Sequence, residues 1–315
     1  MKARSALYAP LLFGVVLILV GFSARFVRWM GGVSADPYLS AAIIQFLVFL
    51  LPLAFYAIVR GASLSSILKF NGFSVRKLPF LTVMLALTFT VILFCRYMGL
   101  FWFKGAMTNT PSAVYLGVST DSLVLRILCD VLLPAVLEEV LCRGILLNEY
   151  RVYGDGYAIC MSAVMFAMLH VAPENLFFYL CLGLIFGVST LVSNSLISAI
   201  VMHVLTNLSY FFLRAGGLEY VRQAGKSPLL PYLLFAAILF LLFLAFSRME
   251  DLHRDDSFDE AAQSRKELLY REMEKNKPVS DQPEKVFFLN FRDVWLSPTF
   301  LGAVAVYVLF ASHIM

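Results

Sequence analysis

The apolar residues of this chain fall in long unbroken blocks, not in the alternating or one-sided stripes of a water-soluble fold. A block must hold about 20 mostly apolar residues to cross a bilayer as a helix. Blocks that approach that length lie near 7–24, 39–59, 78–101, 121–147, 156–171, 175–193, 195–213, 228–247 and 298–314. The pattern predicts an all-α, polytopic transmembrane helix bundle of about eight to nine spans. The blocks at 156–171, 175–193 and 195–213 are short, which fits helices that are tilted, re-entrant or enclosed by neighbours. The first block opens after Lys2 and Arg4 like a signal peptide. No small-residue cleavage site follows it, and Arg25, Phe26, Arg28 and Trp29 form an interfacial anchor, so it reads as a retained helix.

Polar segments divide the blocks. Residues 60–77 mix apolar and basic positions and break at Asn71-Gly72, as a short interfacial helix and turn would. Residues 105–120 form a polar link. Residues 248–285 are the strongly hydrophilic stretch, with an acidic start, a basic end and Leu268, Leu269 and Met273 at helical spacing. A cytoplasmic surface helix and a solvated linker both fit it. The implied organisation is N-terminal helices over 1–111, a central membrane core over 112–247, a hydrophilic segment over 248–297 and a last span over 298–315. Gly183 and Gly187 make a GxxxG that marks close helix packing.

Composition sharpens the membrane reading. The chain is 60% hydrophobic and 15% charged, whereas soluble domains carry roughly a quarter charged residues. Nine spans put alternate loops on opposite sides. Sixteen of the 25 Lys and Arg residues fall in the N-terminus, 60–77, Arg151 and 248–297, against seven in 25–38, 96–104 and 214–226. The positive-inside rule then puts the N-terminus in the cytoplasm, with the long last loop supplying most of the bias. The net charge of +4 follows from this asymmetry and gives no reason to expect nucleic acid. The five cysteines lie in or beside apolar blocks without a CxxC pair and read as small buried hydrophobes.

Charges inside such blocks are costly and usually functional. Between 121 and 213 they are Asp121, Arg126, Asp130, Glu138, Glu139, Arg143 and Glu174, joined by His170 and His203. Glu139 and Arg143 are four apart and meet on one helix face. Glu138 is turned from Glu139 by about 100° and faces a different neighbour. Phe166 shares a face with His170, and His203 with Asn207. One carboxylate, two histidines and an amide can therefore converge from three helices. Arg126 and Asp130, also four apart, read as a structural pair outside that site.

"EEVLCR", "FAMLH" and "HVLTN" follow one another as EExxxR, FxxxH and HxxxN. In that order, over roughly 120–212, they resemble the CPBP family, the CAAX proteases and bacteriocin-processing enzymes also called Abi. The resemblance implies a CAAX-protease-like core and an intramembrane endopeptidase that cuts near the C-terminus of prenylated proteins or processes bacterial peptides. Carried onto this sequence, it implies Glu138 as catalytic carboxylate, His170 sharing a water with it, and His203 and Asn207 as oxyanion donors. Glu139, Arg143 and Phe166 would support them. The hydrophilic segment and last span look like an extension of the family's build.

The chemistry suits those roles. Peptide hydrolysis needs a base poised near neutral pH and donors aimed at the tetrahedral oxygen. No cofactor is required by a water activated by glutamate and histidine. Zinc held by Glu138, His170 and His203 is the alternative, although the spacing is not HExxH. His170 counts deeper into the membrane than Glu138 and His203, so a shared site needs a tilted or staggered fifth span. The competing class is non-enzymatic: a bacteriocin-immunity scaffold, or a secondary transporter with Glu138 as proton site. The partners implied are a peptide or protein substrate, prenylated or not, and membrane lipid. A bacterial plasma membrane is the expected location.

Overall fold

A computed structural model describes residues 2–31, 37–60, 74–101, 122–212, 223, 227–257 and 293–312. Every regular element among them is helical. The main helices are α1 (Lys2–Gly31), α2 (Pro37–Arg60), α3 (Leu78–Phe101), α4 (123–150), α5 (Asp155–Leu169), α6 (Leu176–Ser193), α7 (Leu196–Phe212), α8 (Leu230–Ser257) and α9 (Pro298–Ser312). Residues 61–73 of the interfacial segment 60–77, the link at 105–120, Asp121 and most of the hydrophilic segment lie outside the described residues.

Most of the helices bury a stripe at helical spacing, such as Phe13, Val16, Leu17 and Val20 in α1 or Phe80, Met84, Leu87 and Val91 in α3. The opposite faces are also apolar. Leu51, Phe55 and Ile58 of α2 and Tyr232, Phe243 and Phe246 of α8 are all exposed, as helices in lipid require. Four helices are long and apolar enough to cross a membrane, over Ala42–Val59, Val75–Gly99, Pro173–Ser193 and Leu230–Leu252. Tyr8–Ser23, Asp155–Leu169, Leu196–Tyr210 and Pro298–Ser312 are shorter apolar helices. The bundle is therefore as expected, while the figure of eight to nine spans exceeds the four that meet the length requirement among the described residues.

Burial ranks the helices. In α6 56% of the spanning window is enclosed, against 6% in α8. α6 packs on α5, α7 and α3, while α8 leans on α3 from outside and α9 on α1. Close approach of α5 and α6 depends on Gly183, where an added Cβ would stand 2.8 Å from Ala163 Cα. Gly183→Ala is thus expected to destabilise the protein by about 1–3 kcal/mol, read as a lower melting temperature in detergent.

α8 runs unbroken past the 247/248 division to Ser257. Two sequence readings are corrected. Arg96, counted above as a loop cation, is buried within α3 with its guanidinium carbon 4.3 Å above the Tyr210 ring, so it casts no vote on orientation. Among the cysteines, Cys160 is exposed and Cys181 half-buried, while Cys95, Cys129 and Cys142 are buried.

Candidate active site

α4 is the irregular helix of the bundle. Ser122 caps its start by accepting from Leu125 N–H at 3.4 Å. Two wide, π-helical turns then interrupt it at Leu128–Leu132 and Val140–Leu146. Leu133 N–H donates to Leu128 O and Leu147 N–H to Cys142 O, five residues back in each case. Such turns cluster at functional sites. Glu138 and Glu139 end the regular stretch Leu133–Glu139 between them. Asn148 Nδ2 donates to Gly144 O at 2.9 Å and Ser162 Oγ to Cys142 O at 2.9 Å, which satisfies carbonyls of the second wide turn. Gly154, at φ 115, makes the reversal into α5, a conformation that disfavours any side chain.

Glu138, Glu139 and Arg143 are fully enclosed, at 0%, 0% and 1% exposure. Arg143 Nη1 donates to Glu139 Oε1 at 2.8 Å and Nη2 to Gly183 O at 2.9 Å. Its guanidinium carbon also lies 4.5 Å from the Phe166 ring centre and 5.4 Å from that of Phe186. This cation is therefore held by a carboxylate, a carbonyl and two aromatic faces.

His203 of α7 reaches both glutamates. Its Nδ1 lies 2.8 Å from Glu139 Oε1 and its Nε2 4.0 Å from Glu138 Oε2. His170 places Nε2 3.6 Å from that same Glu138 oxygen and Nδ1 2.9 Å from Phe166 O. These contacts fix the tautomers. A carbonyl accepts and cannot donate, so His170 Nδ1 carries a proton. Glu139, already accepting from Arg143, likewise accepts from His203 Nδ1–H. Both imidazoles thus turn Nε2 toward Glu138, and Nε2 is where a proton can come and go.

His170 ends α5 for a readable reason. Pro173 forces Ala172 out of the helical region, at φ −127 and ψ 86, so the helix stops short. Val171, just after His170, adopts φ 47, a strained conformation for a β-branched residue. His170 Nε2 nonetheless lies 3.6 Å from Glu138 Oε2, so the depth mismatch expected from counting residues does not keep the two groups apart.

His170, His203 and Asn207 line one small pocket with Phe166, Phe178, Tyr179, Leu182, Thr206 and Tyr210, while Glu138, fully enclosed, lies behind the two histidines and is not part of that lining. Asn207 Nδ2 donates to Val131 O at 3.4 Å, and its Oδ1, buried, has no hydrogen-bond partner among the described residues. Arg126 is exposed and Asp130 half-buried, and neither lines the pocket. Sequence reasoning missed Tyr179, whose ring stacks on His170 at 3.7 Å and 18°, and Gly183 O as an acceptor for Arg143. Tyr179 carried no signal beyond being a polar-tipped aromatic near a histidine. Gly183 carried one in its GxxxG.

Residues 120–209 match the family model described as Type II CAAX prenyl endopeptidase Rce1-like. No curated protein and no solved structure matches the chain.

Proposed function

We propose, from the premise that residues 120–209 form an Rce1-like CAAX endopeptidase domain in an integral membrane protein, that the chain hydrolyses peptide bonds with a water activated by Glu138 and His170. One observation carries the reading: Glu138 Oε2 lies 3.6 Å from His170 Nε2 and 4.0 Å from His203 Nε2 inside a closed bundle. A carboxylate and two imidazoles gathered on one oxygen are costly in an apolar interior and are kept where they do chemistry.

In this mechanism Glu138 takes a proton from water while His170 Nε2 orients it. The hydroxide oxygen bonds to the scissile carbonyl carbon. The oxyanion accepts from Asn207 Nδ2–H and from His203 Nε2–H. Because His203 Nδ1–H is committed to Glu139, His203 donates there only as the imidazolium, with Glu139 as counter-ion. The carbon–nitrogen bond then breaks, and the proton held at Glu138 passes to the leaving nitrogen. The new carboxylic acid gives its remaining proton to Glu138 and on to solvent, so one water is consumed and a carboxylate, an amine and a proton are formed.

Zinc at Glu138, His170 and His203 is the alternative activator. Both histidines hold Nδ1–H as metal ligands usually do. Glu138, His170 and His203 would hold the ion, which would supply a Lewis acid for the water; the steps above use this chain's own groups. The substrate is a peptide or protein C-terminus carrying a CAAX-type sequence, prenylated or not, presented from the lipid phase. The N-terminus faces the cytoplasm of a bacterial cell in this reading.

The test is direct cleavage. Purified protein in lipid nanodiscs, given a CAAX-ending peptide with or without a farnesyl chain, is expected to release the C-terminal tripeptide. Labelled water should place one ¹⁸O in the new carboxylate, and exhaustive chelation should leave the rate intact. Stoichiometric bound zinc, with activity restored only by added metal, would replace the water-only mechanism.

A further inference from the structure

We infer that Gln45, on α2 and outside the family match, is a positioning residue for Glu138. The inference rests on the hydrolytic reading above and begins with Pro134. In the first wide turn of α4, Leu133 N–H is taken by Leu128 O. The next donor in an i→i+5 pattern, which would serve Cys129 O, is residue 134, and Pro134 has no N–H. Gln45 Nε2 takes that place, donating to Cys129 O at 3.1 Å from a side chain that is 1% exposed. The amide orientation is unambiguous, because a backbone carbonyl can only accept.

This contact reaches the site through helix geometry. The wide turn inserts one residue, which rotates everything after it by about 100°. Glu138 lies four residues past Pro134, one turn further along the same face. The carbonyl of Val131, in the same wide turn, accepts from Asn207, so the turn also anchors the amide beside the pocket. Gln45 therefore braces the turn that aims Glu138 Oε2 at the two imidazoles and holds Asn207 next to them.

Gln45→Met keeps the length and removes the donor. With the full chain in nanodiscs, kcat is expected to fall about tenfold while KM stays within about twofold, the pattern of a misaimed base. An unchanged kcat while the parent cleaves would overturn the inference and leave the hydrolytic reading standing. So would a rise in KM with kcat preserved, which would make Gln45 a substrate contact. Amide hydrogen exchange reads the same contact without any substrate. Protection over 132–139 is expected to fall in Gln45→Met and to return when Pro134→Ala is added, because residue 134 then supplies the missing N–H. If protection is the same in parent and Gln45→Met, the brace does not exist, whether or not the protein cleaves peptides.

Discussion

Glu138→Gln is expected to lower peptide cleavage by about 10²–10⁴-fold while the protein melts at the parent temperature. The amide has the shape of the carboxylate and leaves no new cavity, so packing around this fully enclosed side chain persists. What it loses is the ability to take a proton from water at the point where His170 and His203 both present Nε2. The measurement is turnover of a CAAX-ending peptide by purified parent and variant, with thermal unfolding in detergent alongside. Equal turnover would remove Glu138 from the chemistry. A variant that sustains the full biological output of the parent would instead favour a non-enzymatic role such as an immunity scaffold. A transporter with Glu138 as proton site predicts a third result: no cleavage by the parent and loss of flux in the variant.

Much of this site was legible in sequence because its members are local pairs or costly residues. Glu139 and Arg143 meet as their four-residue spacing requires, and Phe166 O receives the His170 proton across the same spacing. The convergence of three helices on Glu138 followed from the expense of charge in lipid, not from any local rule. Contacts between distant segments stayed hidden. Nothing around His203 announces that its two ring nitrogens divide between Glu139 and Glu138, since those partners lie 64 and 65 positions away. Gln45 lies 84 positions from Cys129, and only Pro134 hinted that a carbonyl there would need an outside donor. Arg96 was misplaced for a related reason: a cation near the end of an apolar run reads as a loop until Tyr210 is seen beneath it. In the fold, the blocks identified the helices well, but their ends depended on Pro173 and on the wide turns of α4, which hydropathy does not register.

Arg143→Ala is expected to cost about 3–5 kcal/mol of stability as well as activity, because it leaves Glu139 as an uncompensated charge inside the bundle. It also strips Gly183 O of its donor and the Phe166 and Phe186 faces of their cation. Glu139 would keep His203 Nδ1–H as a partner, so the loss is of charge balance more than of every hydrogen bond. The compensated variant, Glu139→Gln with Arg143→Met, removes both charges together. Its amide oxygen still accepts from His203 Nδ1–H, and methionine refills the space between the two phenylalanines. It is expected to recover most of the lost stability, short of the bond to Gly183 O, because no unpaired charge remains. It should stay weakly active, since His203 would lack the carboxylate counter-ion that its donation to an oxyanion calls for. Thermal unfolding of parent, single and double variants decides the point. Should Arg143→Ala melt with the parent and fail only in substrate binding, Arg143 is a substrate-binding cation and its contact with Glu139 is incidental to the fold.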